Sequence, residues 1–335
     1  MASSSQPQTI ALIGLGTIGL SFAALHLGYS NANLRLYDVR EDLDQHISSL
    51  LPVYLESTKR KGASSLPVEE LIATGRLSIC SSIEEACSTA TIVQEQGPDR
   101  VEFKKANWAS VVKWAPAEAH LWSSTSGIPA SKQAEDLDDK SRVLVVHPWN
   151  PPHIMPLIEV VPSPDTHPER TQFAMDYFKN LGSGHRPVWI KKETQGFVGN
   201  RLAFALFREA CHLVADDVVS VEDLDTIMES SLGPRWAAAG PFKSYNCAGG
   251  AGGIGAFMQN LAGTMDGCWD DAGTLSFKDK STEASSSEHE SFAEARHWTD
   301  KISRQTEEAY GRPTAETLAE RDTNLQRVIE AQTKK

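Results

Sequence analysis

The sequence has little that suits a membrane or a nucleic acid. No apolar run approaches the roughly 20 residues that a bilayer-spanning helix needs. Acidic residues outnumber basic ones by 44 to 32, and the formal net charge is −12. Such an acidic chain is a poor partner for nucleic acid or for an anionic membrane surface. We therefore expect neither as a partner.

Cysteine is also scarce, with 5 residues in 335, and no two of them form a Cys-x-x-Cys pair. The pattern favours reduced thiols over a disulfide framework or a zinc site, and it predicts a cytoplasmic protein without a metal. Residues 1–8 lack the basic and apolar parts of a signal peptide and predict a short disordered lead. With 40% apolar residues, the chain is long enough for roughly two domains.

The most informative segment is 10–19, an apolar run that breaks into Gly-x-Gly-x-x-Gly and then into a helix-compatible stretch. Gly14 allows a tight turn, Gly16 lets a pyrophosphate approach the backbone, and Gly19 lets the helix pack close to the strand. The motif predicts a dinucleotide site formed by Gly14, Gly16, Thr17, Ile18 and Gly19. A glycine-rich turn in some other α/β fold is the alternative.

A second short strand, 34–37, ends at Asp38, about 20 residues beyond the glycines, where an acid binds the ribose 2′-hydroxyl. A carboxylate there would repel a 2′-phosphate, so the pattern favours NAD over NADP. Arg40 lies close enough to keep NADP open as an alternative.

Strand-like and helical segments alternate over the first half, as a doubly wound sheet requires. Strands are predicted at 77–80, 91–95, 120–123, 143–146, 158–161 and 187–190, and helices at 82–86, 101–114 and 171–181. The run 143–146 is typical of a strand buried on both faces. The alternation predicts a Rossmann-type NAD-binding domain over residues 9–192.

The rest of the chain has a helical pattern. Apolar residues recur at helical spacing from 201 to 214, and another helix begins near residue 223. Segment 233–236 is predicted to lie in a loop, and the serine-rich segment 281–290 in an exposed one. The fold class is therefore α/β, with an N-terminal Rossmann-type doubly wound sheet and an all-α C-terminal domain over residues 193–335.

A candidate base follows the predicted buried strand. His147 comes directly after residue 146, at a carboxyl end, where open α/β sheets bind their ligands. Hydride transfer from an alcohol leaves a hydroxyl proton to be removed, and histidine is the usual base. Glu159, near the next strand, could fix the imidazole tautomer. The alternative is that His147 only ends a strand and Glu159 is a solvated surface acid.

Two segments resemble signatures of the 3-hydroxyacyl-CoA dehydrogenase family. They are His-Pro-Trp-Asn-Pro-Pro at 147–152, continuing to residue 161, and Gly-Phe-Val-Gly-Asn-Arg-Leu at 196–202. Together with Lys-Glu at 192–193, Gly-Pro-Arg-Trp-Ala at 233–237 and the glycine-rich stretch 248–253, they are similar to the branch that acts on free hydroxy acids such as L-gulonate and L-carnitine. The resemblance extends from the glycine motif to about residue 242.

The resemblance implies NAD-dependent oxidation of the 3-hydroxyl of a small hydroxy acid to the 3-keto acid. It assigns the catalytic roles to four residues, with a general base oriented by a carboxylate and two groups that hold the substrate oxygen: His147, Glu159, Ser126 and Asn200. Helix capping is the alternative role for Ser126 and for Asn200. The resemblance also implies a homodimer.

Further contacts are expected, the cofactor contacts from the same resemblance and the substrate contacts from side-chain chemistry. Asp99, Lys104 and Asn150 match residues near the cofactor, although the family usually has Glu where this chain has Asp99. Arg235 is the candidate partner for a substrate carboxylate, and Trp236 for a quaternary ammonium group. An ordinary salt bridge and a core tryptophan are the respective alternatives.

Two other functions remain open at this point. A true acyl-CoA dehydrogenase needs a basic site for the CoA phosphates, and Lys59-Arg60-Lys61 is a candidate, although such a run is usually a solvated helix face. A crystallin-like protein that keeps NAD affinity with little turnover is the second possibility.

Overall fold

A computed structural model describes residues 7–59, 63, 66–277 and 291–333. Two compact units divide the chain, Met1–Arg201 and Leu202–Lys335. Residues 1–6 of the expected lead, the basic run apart from the backbone of Lys59, and segment 281–290 lie outside the described residues. Within the lead, Gln8 already takes part in the fold, because its carbonyl accepts a hydrogen bond from the Asn33 amide at 2.9 Å.

The first unit is built on an eight-stranded sheet. Its strands are β1 (Thr9–Ile13), β2 (Asn33–Tyr37), β3 (Leu77–Ile79), β4 (Ile92–Glu95), β5 (His120–Ser123), β6 (Val143–Pro148), β7 (Leu157–Pro162) and β8 (Arg186–Trp189). The spatial order is β3-β2-β1-β4-β5-β6-β7-β8. All neighbours are parallel except β6 and β7, which are antiparallel.

Helices cover both faces of this sheet. They are α1 (Thr17–Tyr29), α2 (Leu43–Lys59), α3 (Val68–Ala73), α4 (Ile83–Cys87), α5 (Val101–Val111), α6 (Ala130–Gln133) and α7 (Pro168–Asn180). Side chains alternate across a strand, so Ile10 and Leu12 of β1 join one apolar cluster. Ala11 and Ile13 join the cluster on the opposite face. A strand that is buried on both faces consists of consecutive apolar residues, as residues 10–13 do.

The strand order reverses at β1, whose neighbours are β2 and β4. In open α/β sheets a ligand binds outside the carboxyl ends of the strands at this switch point. The glycine motif lies there, since Gly14 directly follows β1. The predicted α/β class with a Rossmann-type domain is confirmed.

The second unit is helical throughout its described residues. Its helices are α8 (Gly199–Ala215, which begins in the first unit), α9 (Val221–Ser230), α10 (Leu232–Ala238), α11 (Pro241–Ala248), α12 (Gly253–Asp270), α13 (Ser291–Tyr310) and α14 (Ala315–Thr333), with a 3₁₀ turn at Gly250–Gly252. The predicted loop at 233–236 is wrong, because these residues lie inside α10. Pro234 is tolerated there because the first turn leaves its backbone nitrogen without an intrahelical partner.

Helix α13 braces the corner between α8 and α9. Lys301 Nζ donates to the Ala215 carbonyl at 2.8 Å and pairs with Asp217 at 2.7 Å. Gln305 Oε1 accepts from the Val221 amide, at the start of α9. These contacts hold the two ends of the corner with side chains of one helix.

Among the described residues, no helix combines the length and the apolar character that crossing a membrane requires.

A neutral histidine of α1 lies in the core. His26 is fully buried, its Nε2 lies 3.0 Å from Gln94 Oε1, and the Tyr177 hydroxyl lies 2.8 Å from its Nδ1. Burial lowers the pKa of His26 from 6.5 to about 4, with the hydrogen bond to Gln94 acting in the opposite direction. The unfolded chain therefore binds a proton at His26 in mild acid, whereas the folded chain does not.

We predict that this difference makes the fold lose stability in acid. As pH falls from 6.5 toward 4, His26 should lower the free energy of unfolding by about 3 kcal/mol, because His26 is protonated only in the unfolded state. His26→Gln should be less stable at pH 7 but should show a shallower fall with pH. Urea unfolding of both proteins at pH 7 and pH 5 measures the difference, and parallel pH dependences would contradict it.

Candidate active site

The glycine motif has the backbone that its residues predict. Gly14 has φ of +94°, and a Cβ there would stand 3.1 Å from backbone atoms of Gln96 and Gly97. A Cβ on Gly19 would overlap the carbonyl oxygen of Gly14. Both positions therefore require glycine, one for its conformation and one for the close approach of helix and strand.

The start of α1 fits a pyrophosphate. A Cβ on Gly16 would meet nothing within 4 Å, so open space lies over this residue. Gly16 and Thr17 are exposed, and no side chain caps the helix. The first amides of α1 thus face outward without a side-chain acceptor, which is a favourable site for an anionic phosphate.

Asp38 lies beside this helix start. Its Oδ2 accepts a hydrogen bond from the Leu15 amide at 2.6 Å, and its Oδ1 accepts from the Arg40 amide at 3.1 Å. The guanidinium of Arg40 pairs with Asp42 at 2.7 Å. A cleft of about 490 Å³ is lined by residues that include Asp38, Arg40 and Ser81. The residues present fit a dinucleotide, with Asp38 placed for a ribose hydroxyl and the Arg40 charge already paired.

His147 and Glu159 form a buried pair. Antiparallel β6 and β7 place the two residues directly opposite each other in the ladder, where cross-strand side chains are within reach. His147 Nδ1 and Glu159 Oε2 are 2.8 Å apart, and the two residues are only 4% and 2% exposed. The alternative of a solvated surface acid at Glu159 is therefore wrong. Among the described residues, His147 Nε2 has no hydrogen-bond partner.

The second oxygen of Glu159 holds the start of α8. Oε1 accepts hydrogen bonds from the amides of Val198 and Gly199, both at 3.0 Å. Burial acts to raise the pKa of Glu159, but the hydrogen bonds from His147, Gly199 and Val198 and the charge of His147 outweigh it and lower that pKa below its ordinary value. Glu159 is consequently an anion that orients His147.

Phe197 takes a strained backbone conformation between these groups. Its φ is +52°, in the left-handed region that residues other than glycine rarely adopt. The side chain is fully buried and its ring centroid lies 5.4 Å from that of His147. Thr194 holds the turn, since its hydroxyl donates to the Phe197 carbonyl at 3.0 Å. Such strain is concentrated at functional sites, and the sequence pattern alone did not reveal it.

Ser126 is held from two sides. Its amide donates to Asp99 Oδ2 at 2.9 Å, and its carbonyl accepts from Asn200 Nδ2 at 2.7 Å. Neither Ser126 nor Asn200 caps a helix, because α6 begins after Pro129 and Asn200 lies in the first turn of α8. The capping alternatives are therefore wrong. Ser126 is exposed, and its hydroxyl makes no hydrogen bond within the described residues.

Lys104 differs from the expectation of a direct cofactor contact. It is fully buried, and its Nζ lies 2.9 Å from both oxygens of Glu95 and 2.9 Å from the Gly97 carbonyl. Asp99 Oδ1 lies 3.5 Å away. Lys104 therefore supports the loop that carries Gly97 and Asp99, and its charge is paired with Glu95 inside the protein. Asn150, by contrast, is exposed after β6.

Two loops are joined beside Ser126. The Gly127 carbonyl accepts from the Gly196 amide at 3.3 Å, and Glu193 Oε1 accepts from the Ser131 amide at 2.9 Å. The sequence singled out Glu193 only as part of a Lys-Glu pair and offered no role for it. The structure shows that its carboxylate ties the loop before α8 to the start of α6.

Arg235 and Trp236 lie in the second unit, on α10. Both are exposed, Trp236 by 38%, so the alternative of a core tryptophan is wrong. Among the described residues of this unit Arg235 makes no ion pair. Their roles toward a substrate remain predictions. No cluster of His, Cys, Asp and Glu suited to a metal ion occurs in the described part of the chain.

Comparison with known proteins gives a consistent result. Residues 9–194 match the NAD-binding domain of 3-hydroxyacyl-CoA dehydrogenase, and residues 196–267 match its C-terminal domain. A 3-hydroxyacyl-CoA dehydrogenase of Gibberella moniliformis is 34% identical over 76% of this chain and 76% of its own length. The L-carnitine dehydrogenase of Mesorhizobium japonicum is 34% identical over 77% of this chain and 69% of its own.

Solved structures are similar over most of the chain. FHMPC 5-dehydrogenase, described as an NAD⁺ dependent dismutase, has a TM-score of 0.70 and 26% identity, and the match covers 90% of this chain and 98% of that one. The 3-hydroxybutyryl-CoA dehydrogenase of Escherichia coli has a TM-score of 0.58 and 26% identity, covering 79% of this chain and 53% of that one.

Fold and matches together define an NAD-dependent oxidoreductase that acts on a CH–OH group. The chain belongs to the 3-hydroxyacyl-CoA dehydrogenase family. The predicted family and the predicted cofactor are both confirmed.

We predict that Asp38 sets the choice of cofactor. Asp38→Asn keeps an oxygen for the Leu15 amide but removes the charge that opposes a 2′-phosphate. The ratio of the dissociation constants for NADP and NAD should fall about tenfold or more, equivalent to about 1.4 kcal/mol. Calorimetric titration with both cofactors measures it, with Asp176→Asn, at an exposed residue of α7, as the matched control. An unchanged ratio would contradict the assignment.

Proposed function

We propose that this protein oxidises the 3-hydroxyl of a small free hydroxy acid, L-carnitine-like or L-gulonate-like, to the 3-keto acid, with His147 as general base. The observation that carries the proposal is the contact of 2.8 Å between His147 Nδ1 and Glu159 Oε2 in a buried setting. An anionic Glu159 accepts a hydrogen bond from Nδ1–H, so the lone pair of the neutral imidazole is on Nε2, the nitrogen that has no partner among the described residues.

Proton transfer follows from this tautomer. Nε2 of His147 takes the hydroxyl proton, and the negative charge of Glu159 stabilises the imidazolium that forms. When bound, NAD supplies the hydride acceptor. Burial of the pair keeps water from competing for the Glu159 carboxylate, so the imidazole stays in one orientation.

Ser126 and Asn200 support the positioning of the substrate oxygen. The backbone of Ser126 is fixed by Asp99 and by Asn200, while its hydroxyl stays free among the described residues. A hydroxyl on a fixed backbone can hold the substrate alcohol in line at little entropic cost. Such positioning supplies much of the rate in reactions of this kind.

The preference for a free acid rests on α10 and on the relatives. Arg235 and Trp236 are adjacent and exposed, and a guanidinium fork matches a carboxylate while an indole face attracts a quaternary ammonium. Several relatives are L-carnitine dehydrogenases at 30% to 34% identity. A second candidate, oxidation of an acyl-CoA, is favoured by the Gibberella moniliformis relative.

We predict that the purified protein forms NADH with at least one free acid among L-carnitine, L-gulonate and 3-hydroxybutyrate. His147→Gln should lower kcat about 100- to 10,000-fold with NAD affinity unchanged, because it removes the base alone. Absorbance of NADH at saturating substrate measures kcat.

Two results of this assay would change the conclusion. The assay includes 3-hydroxybutyryl-CoA as a fourth compound. Turnover of this thioester alone would show that the substrate is an acyl-CoA and not a free acid. NAD binding without turnover of any of the four compounds would favour the crystallin-like alternative.

Homodimer formation through the second unit is part of the proposal. Among the described residues of this unit, the buried apolar side chains are Cys211 and Val214. Large apolar side chains on α8 are exposed instead, by 64% at Leu202, 63% at Phe204 and 54% at Phe207. A surface of this kind marks an interaction site. All five cysteines are free thiols, and we propose a cytoplasmic location on that basis.

We predict that Phe207→Glu converts a dimer into monomers, because it places a charge within this apolar surface. Sedimentation velocity at micromolar concentration measures the mass. Arg327→Glu, at an exposed residue of α14, is the matched control and should leave the mass at two copies. A wild-type protein that sediments as one copy would refute the dimer.

A further inference from the structure

Trp149 packs directly on Gly199, at the start of α8. A Cβ on Gly199 would stand 2.7 Å from Trp149 Cζ2 and 2.9 Å from Nε1. Atoms essentially never approach so closely, so residue 199 has to be glycine as long as Trp149 occupies this place. The indole thus lies in the volume that any other side chain at position 199 would fill.

This packing closes a ring of contacts around the proposed base. Gly199 donates its amide to Glu159 Oε1 at 3.0 Å, and Glu159 Oε2 lies 2.8 Å from His147 Nδ1. The chain then leads from His147 through Pro148 back to Trp149. Every member of the ring lies in the first unit.

The volume of the indole is the property that matters at position 149. Trp149 Nε1 is buried without a hydrogen-bond partner among the described residues, which is an unfavourable state for a donor. A phenylalanine would avoid that cost but would leave part of the volume over Gly199 empty. The indole of Trp149 therefore serves this position by its shape and not by a hydrogen bond.

We infer that Trp149 is a positioning residue that, through Gly199, fixes the start of α8 and with it the groups around His147. The same helix start carries the amides that hold Glu159 and the Asn200 side chain that holds Ser126. A shift of α8 would loosen both contacts together. This inference rests on the proposed role of His147 as the base.

The test is a pair of substitutions with a compensating double variant. Gly199→Ala forces the indole or the helix start to move, and Trp149→Val leaves a gap. Each should lower kcat about 10- to 100-fold, the cost of a misplacement near 1 Å, with NAD affinity unchanged. Gly199→Ala/Trp149→Val removes the overlap and fills part of the gap, so kcat should return to within about threefold of wild type.

A second readout does not depend on turnover. The NMR resonance of the His147 Nδ1 proton should move upfield in each single variant, because its hydrogen bond to a loosened Glu159 weakens. It should return in the double variant. Gly263→Ala is the matched control, since it lies inside α12 and a Cβ there meets nothing within 4 Å.

An unchanged kcat together with an unchanged His147 Nδ1 proton resonance in Gly199→Ala would overturn the inference. So would a double variant no better than the poorer single one. If Gly199→Ala does not fold alone, recovery of folding and kcat in the double variant supports it, and no recovery overturns it. A wild type that turns over none of the four compounds defeats the proposed function instead. The NMR resonance of the His147 Nδ1 proton still decides the positioning role in that case.

Discussion

Glu159 keeps a negative charge at a nearly buried position, and the geometry of the site depends on how that charge is satisfied. Burial alone would favour the neutral acid. The imidazole of His147 on one side and the amides of Val198 and Gly199 on the other reverse that preference. One carboxylate therefore joins three parts of the chain, namely β6, β7 and the start of α8. Removing it would leave two amide donors and an imidazole without an acceptor.

The direction of β7 makes this arrangement possible. Because β7 runs antiparallel to β6, His147 and Glu159 come face to face although they are twelve positions apart in sequence. The sequence predicted both strands and placed Glu159 near His147, but it did not predict the reversal. A usable signal was present, since a parallel crossover needs a dozen or more residues. Residues 149–156 are too few for one.

Local patterns predicted most of the fold and only part of the site. Patterns that depend on neighbours in sequence could be recognised without the structure, namely the glycine motif, the apolar runs and the helical spacing. The contacts between Glu193 and Ser131 and between Trp149 and Gly199 join segments that are distant in sequence. Nothing in either segment specifies its partner. Lys104 was predicted near the cofactor from its motif match, and that match did not reveal its buried ion pair with Glu95.

Helix α8 has two parts that differ in their contacts. Its first residues, up to Arg201, belong to the first unit, where Glu159 and Ser126 hold them by hydrogen bonds. From Leu202 onward the helix presents exposed apolar side chains, which hydrogen bonds do not constrain. The residues proposed for catalysis are therefore positioned by buried polar contacts inside one unit, and the apolar length of the helix is the part proposed for association. Substitutions before and after residue 201 should accordingly act on different properties of the protein.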